Sequence, residues 1–312
     1  MGGLVTLAFV TALSSGGAIE AANGGTADMF EFIIDAIRKS ETVAIAQPTE
    51  TQQVAGGEQG YLRVSASVTE VVKGGLSRGS TIAIDIAIEG KETPRLQLGA
   101  EYLFFLHGSG SGAWRVLDLT RPVSIRVEER ERFVDNLRRA ARLASTTSSD
   151  VELKKHYLDM LRSGVRFFVT DAAKACSAIS SWNDGELQQV IAILNGDGVP
   201  ERPQGNDHDH LAAVVVQQGS VALATRFARQ ELKDGHGDPV YFGLMKRKGQ
   251  TVDAILTALL RDQDEAIRGE ALRVAGLLRR KDLLDQFEKQ ETSGEASVRE
   301  ALVQARALAI RD

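Results

Sequence analysis

Between residues 61 and 89 apolar and polar positions alternate. Leu62, Val64, Ala66 and Val68 are separated by Arg63, Ser65, Ser67 and Thr69, and Ile82, Ile84, Ile86 and Ile88 by Ala83, Asp85, Ala87 and Glu89. A period of two places one row on each face of a strand. Both stretches therefore predict antiparallel strands with one buried face. Shorter apolar runs at 42–46, 102–106, 114–119 and 123–127 predict further strands, with a glycine-rich hairpin loop at 107–112. Ahead of them, residues 28–39 predict a helix: Asp28 can cap it, and Phe30, Ile33, Ile34 and Ile37 share a face. Five or six short strands joined by glycine-rich turns predict a small, closed or nearly closed β-barrel domain over 28–127.

After residue 127 the period changes. Residues 128–144 predict an amphipathic helix with Phe133, Leu137, Ala141 and Ala144 on one stripe, ended by the run Ser145-Thr146-Thr147-Ser148-Ser149. Helical patterns follow near 151–162, 165–180, 185–195, 208–217, 220–233, 239–247, 250–261, 264–279, 281–291 and 295–310, with no strand pattern between them. The segment 199–205 holds two of the six prolines and reads as a loop within the helical array. The expected fold class is α+β and multidomain: a small antiparallel β-barrel, then an all-α region over 128–312.

The last part of that region repeats. The stretch 265–277 recurs loosely as 296–308, each copy with a β-branched residue (Ile267, Val298), an arginine (Arg268, Arg299) and then small and apolar residues at helical spacing. An acidic loop precedes each copy: Asp262, Asp264 and Glu265 in the first, Glu295 in the second. One helical hairpin cannot bury its apolar stripe alone, so such units stack. These residues resemble HEAT-type helical repeats. The resemblance implies that the Val-Arg pair opens the second helix of a unit, that small residues let neighbouring helices approach closely, and that Val165-Arg166 marks an earlier, degenerate unit. In the barrel domain, the residues from Val64 to Gly74 (strand, then Glu-Val-Val-Lys-Gly) and from Gly99 to Leu106 (Gly-Ala-Glu-Tyr-Leu-Phe-Phe-Leu) resemble the OB or netrin-like barrels of exported bacterial proteins. The inhibitory end of netrin-like protease inhibitors is tethered by cysteines. Residues 1–150 have none, so that activity is not carried over.

Residues 4–13 form a short apolar run followed by Ser14, Ser15, Gly16, Gly17 and Ala18. The run is too short to span a bilayer comfortably and reads as the core of a secretory signal, with 1–22 removed near Ala18 or Ala22. No Lys or Arg precedes it, because residues 1–3 are Met-Gly-Gly. An atypical signal, a start further upstream and a cytosolic protein thus stay open, with a periplasmic or extracellular location as the expectation.

Charge is spread evenly over the 312 residues. There are 37 Lys and Arg against 42 Asp and Glu, divided 15 against 18 in residues 1–150 and 22 against 24 in the rest. A nucleic-acid binder concentrates cations to displace phosphate counterions, so nucleic acid is not expected as a partner. The densest basic spots (Arg138, Arg139 and Arg142; Lys246-Arg247-Lys248; Arg279-Arg280-Lys281) read as solvated faces or last turns of helices. The single cysteine, Cys176, permits neither an intramolecular disulfide nor a thiolate zinc site and reads as a buried small residue.

The one cluster with metal-ligand chemistry is Asn206-Asp207-His208-Asp209-His210, with His236 and Asp238 downstream. Its candidate ligands are His208, His210 and His236. On a helix His208 and His210 point about 200° apart, so they converge only on a strand or loop. The alternative is that Asp207 caps the next helix and the histidines are solvated. Gly108, Gly110 and Ala113 match a dinucleotide fingerprint by position, but a strand rather than a helix is expected next. Glu128-Glu129 and Asp262/Asp264 read as solvated or N-terminal carboxylates, and Trp114 and Trp182 as packing residues. With no nucleophile elbow, phosphate loop or zinc-protease motif in the sequence, the expectation is no catalytic residue, no metal and no cofactor. The expected function is that of an exported, non-enzymatic scaffold that binds a protein partner through its helical repeats. A metal-dependent hydrolase using the histidines and a cytosolic helical scaffold are the alternatives.

Overall fold

A computed structural model describes residues 33–54, 60–88, 95–108, 112–117, 122–146, 149–247, 249–290 and 295–310. The expected signal segment 1–22 and the start of the leading helix, 28–32, lie outside them. The chain divides into two compact units between Val127 and Glu128.

Among the described residues the first unit begins with α1 (Ile33–Lys39), which buries Ile33, Ile34, Ala36 and Ile37. Six strands follow: β1 (Thr42–Val54), β2 (Tyr61–Lys73), β3 (Thr81–Ala87), β4 (Tyr102–Gly108), β5 (Trp114–Val116) and β6 (Val123–Ser124). Their order is β1-β2-β3-β5-β4, and β1 also pairs with β4, so five strands close into a barrel while β6 extends β4. All pairings are antiparallel except β3 with β5. β1 can pair on both sides because register shifts at Val43/Ala44, Ile45/Ala46 and Pro48/Glu50 bend it. Pro48, which has no ladder donor, sits at the last of these.

The alternating rows of β2 and β3 point Val64, Ala66, Val68, Ile82, Ile84 and Ile86 into the barrel, where they meet Ala44, Ala46, Phe104 and Leu106. Arg63 and Asp85 lie opposite each other in register on the outer face, joined by two hydrogen bonds of 2.8 and 2.9 Å. The strand at 42–46 is longer than expected, continuing to Val54 with exposed polar residues. The strand expected at 114–119 ends at Val116, residues 118–119 lying outside the described residues; the one expected at 123–127 is shorter, and a 3₁₀ turn, Val127–Glu129, takes up its end.

The Lys-Gly pair that ends β2 has a local cause. The Lys73 ammonium donates to the carbonyls of Ile37, Arg38 and Ser40 and so caps the C-terminus of α1. Gly74 has φ +100°, and a Cβ there would lie 2.9 Å from Thr42 Cβ and 3.0 Å from the Glu41 carbonyl oxygen.

The second unit begins with α2 (Arg130–Ala144). Five helical hairpins follow, made by α3 (Asp150–Arg162) with α4 (Arg166–Ala178), α5 (Asp184–Leu194) with α6 (Asn206–Gln218), α7 (Val221–Lys233) with α8 (Gly237–Lys246), α9 (Thr251–Leu260) with α10 (Glu265–Leu277), and α11 (Lys281–Gln290) with α12 (Ala296–Ile310). The second helices, α4, α6, α8, α10 and α12, pack successively in one layer; α7, α9 and α11 pack successively in the other. In α6 all six residues from Leu211 to Val216 are buried, which marks the central layer. Capping boxes start α3 (Ser149 with Glu152) and α5 (Asn183 with Glu186).

Polar bonds tie each hairpin to the next at a spacing of about one unit. Lys154, 6% exposed, donates to Glu186 at 2.8 Å and to the Ser181 carbonyl at 2.6 Å. Arg229 pairs with Asp262 at 2.6 and 3.1 Å. Arg268 donates to the carbonyls of Asp262 and Gln263 and pairs with Glu295. Small residues fit the central layer closely: a Cβ on Gly243 would lie 2.7 Å from Val216 Cβ, and one on Gly276 2.5 Å from the Ala305 carbonyl oxygen.

Candidate functional site

A helix end, a left-handed glycine and the first turn of another helix bring three polar side chains together. α7 ends at Lys233, and Gly235 follows in the left-handed conformation at φ +82°. The His236 amide then donates to the Glu231 carbonyl at 2.8 Å, and the Gly235 amide to the Leu232 carbonyl at 3.2 Å. This is a Schellman turn, which places the third-last helical residue beside the second residue past the end. An apolar pair commonly fills those two positions; here they hold Glu231 and His236. The first turn of α6 supplies His208.

His208 Nε2 lies 3.5 Å from Glu231 Oε2, and His236 Nδ1 also lies 3.5 Å from it. The two imidazole rings stand edge to face with centroids 4.8 Å apart. On the far side of its ring, His208 Nδ1 contacts Asp209 Oδ1 at 3.3 Å. Glu231 is 5% exposed, and its Oε2 is buried without a hydrogen-bond partner. The Asp209 carboxylate, and after it Glu231, raise the proton affinity of His208 to a pKa of about 9, against the cost of burial. The three residues stand on the wall of a pocket of about 200 Å³ that also includes Arg202, Arg226, Phe227 and Gln230.

The other residues of the expected cluster go elsewhere. His210, two positions further along α6, is turned away as the helical angle requires. Burial, then Lys174, lowers its pKa. Asp207 accepts from Thr170 Oγ1 at 2.9 Å and does not cap α6, whose N-cap is Gly205 without a side-chain bond. Asp238 pairs with Arg273 at 3.2 Å. Glu231 was not expected; its only signal is the sequence Glu-x-x-x-Gly-His at a helix end.

Several other candidate residues have structural roles. Cys176 is fully buried, which pushes its thiol pKa up. Trp182 is buried and donates from Nε1 to the Cys176 carbonyl at 3.1 Å, and Trp114 packs against the barrel core. Asp264 caps α10. Arg247 holds the carbonyls of Val216 and Gly219 at 2.8 Å each, and Arg280 pairs with Asp253. Lys248 lies outside the described residues.

A second feature lies on α8. Phe242 and Met245, one turn apart, are 46% and 50% exposed. Met245 borders a pocket of about 330 Å³ shared with Tyr241, Leu244, Val252, Leu277, Leu278, Arg279 and Arg280. Among the described residues no helix is long and apolar enough to cross a membrane. No family model matches the chain, and no curated protein or solved structure matches it.

Proposed function

We propose that this protein is an exported, non-enzymatic interaction protein that binds a protein partner on its helical unit. The observation that carries this is the exposed pair Phe242 and Met245 beside the pocket of about 330 Å³. Apolar side chains of this size, side by side next to a cavity with a polar rim, suit docking of another protein. Exposed Arg279 and half-buried Arg280 line the same pocket, so the partner segment is apolar with acidic neighbours.

The stacked hairpins and their tight small-residue contacts support a HEAT-type reading of this unit, an architecture that offers binding surfaces. The closed five-stranded barrel, with Lys73-Gly74 and Gly99 at its turns, supports the OB or netrin-like reading of the first unit. The apolar run at 4–13 and the small residues after it support export.

The test is capture from a cell-envelope extract with the full chain, set against the variant Phe242→Ser/Met245→Ser. A protein retained by the natural chain and lost on the variant supports the reading. Equal retention by both, or turnover of a substrate by the purified chain with no retained partner, overturns it.

A further inference from the structure

We infer that His208, Glu231 and His236 form a binding site for a single divalent transition-metal ion of the zinc class. Three observations converge on it.

The first is geometric. Zinc bonds of about 2.0–2.2 Å in a tetrahedral site put neighbouring ligand atoms about 3.4 Å apart. Both imidazole nitrogens stand 3.5 Å from Glu231 Oε2, on two such edges. All three ligand groups lie within 4.8 Å of one another. The remaining edge closes by rotation of His236, whose side chain is 48% exposed.

The second is the buried carboxylate. Glu231 Oε2 is buried and makes no well-formed hydrogen bond, its nearest donors being the two ring nitrogens at 3.5 Å, and a carboxylate oxygen so weakly satisfied in a protein interior is costly. The Schellman turn at Gly235 aims His236 at that oxygen, and the first turn of α6 aims His208 at it from another hairpin. A divalent cation at their common point, by displacing the ring proton that the carboxylates hold on His208, satisfies the oxygen and one nitrogen of each ring.

The third is the outer shell. Asp209 contacts His208 Nδ1, which selects the tautomer that leaves Nε2 as the ligand atom, and such carboxylates orient metal-bound imidazoles. Two imidazoles and one carboxylate suit zinc and its neighbours over calcium or magnesium, which prefer oxygen ligands alone. The pocket beside the cluster leaves a fourth position for water or an anion, with Arg202 and Arg226 on its wall.

The test is titration of the full chain, purified without a histidine tag and treated with chelator, with Co²⁺ and then Zn²⁺. One equivalent of Co²⁺ with tetrahedral-type visible absorption, displaced by Zn²⁺, is expected. His236→Ala and the isosteric Glu231→Gln should each weaken Co²⁺ binding at least 100-fold, Asp209→Asn about 10-fold, and His210→Ala not at all. Absence of stoichiometric binding by the natural chain overturns the inference and leaves the three residues as an ion-paired cluster. Binding that survives in His236→Ala and Glu231→Gln, or falls equally in His210→Ala, overturns the ligand assignment.

Discussion

Two glycines on one helix allow a sharp test of how the hairpins pack. Gly269 and Gly276 both lie in α10. At Gly269 an added Cβ would meet only Ala301 Cβ at 3.8 Å, an ordinary contact. At Gly276 it would lie 2.5 Å from the Ala305 carbonyl oxygen and 2.8 Å from Ala305 Cα, both backbone atoms of α12. Replacing glycine by alanine inside a helix gains up to about 1 kcal/mol from backbone entropy and propensity. Gly269→Ala should therefore stabilise by several tenths to about 1 kcal/mol. Gly276→Ala receives the same gain but forces α10 and α12 apart, and overpacking of this kind costs about 1–3 kcal/mol. With a backbone obstacle the upper part of that range applies, so the net is destabilisation of about 1–2 kcal/mol. The two variants should differ by about 2–3 kcal/mol in urea unfolding of the full chain, followed by far-ultraviolet circular dichroism. If Gly276→Ala stabilises as much as Gly269→Ala, the close crossing of α10 and α12 is wrong, and with it the account of how the units stack.

Other expectations follow from buried polar groups. His156 is 6% exposed, its Nε2 is unpartnered, and burial depresses its pKa to about 4, with Asp159 opposing and Arg139 adding to the shift. Its folded pKa lies below the unfolded value of about 6.5, so the unfolded chain takes up the proton first and stability falls as pH drops from 6.5 toward 4. Between pH 7 and 4.5 the natural chain should lose about 2 kcal/mol more than His156→Leu, read from denaturant midpoints; parallel losses would refute this. Glu186→Gln leaves the Lys154 ammonium buried with one neutral partner and should cost about 2–3 kcal/mol, while Lys154→Met with Glu186→Gln should recover part of it; an additive double variant would show no coupling. Cys176 should react with a thiol reagent only on the timescale of unfolding, and immediate reaction in native buffer would contradict its burial.

Much of the barrel could be read from residue pattern, because β2 and β3 have one face in the core and one outside. β1 could not be read beyond Ala46. Its second half is polar apart from the buried Pro48 and is exposed from Thr49 to Gln53, a loop-like composition that pairing with β2 makes a strand. A closed or nearly closed barrel was expected from the number of strands, but the bulges in β1 that let it pair on both sides were not, since residue types alone do not announce them. The helices were legible throughout, as each hairpin keeps an apolar stripe; the ladder from Lys154 to Glu186 and from Arg229 to Asp262 was not, being made of residues far apart in sequence. At the candidate site the angular argument correctly separates His210 from His208. Asp207 was misread as a cap because Asp at a helix start commonly serves so, whereas here it answers Thr170. Glu231 was invisible because it meets the histidines only through a left-handed turn and a neighbouring hairpin.

The most direct test of the functional account is a hydrogen-exchange footprint of the full chain, alone and saturated with the protein it captures. New protection should fall on α8 around Phe242 and Met245 and on residues 277–280. A footprint confined to the barrel unit, or none at all, would contradict the claim that the helical unit is the binding surface.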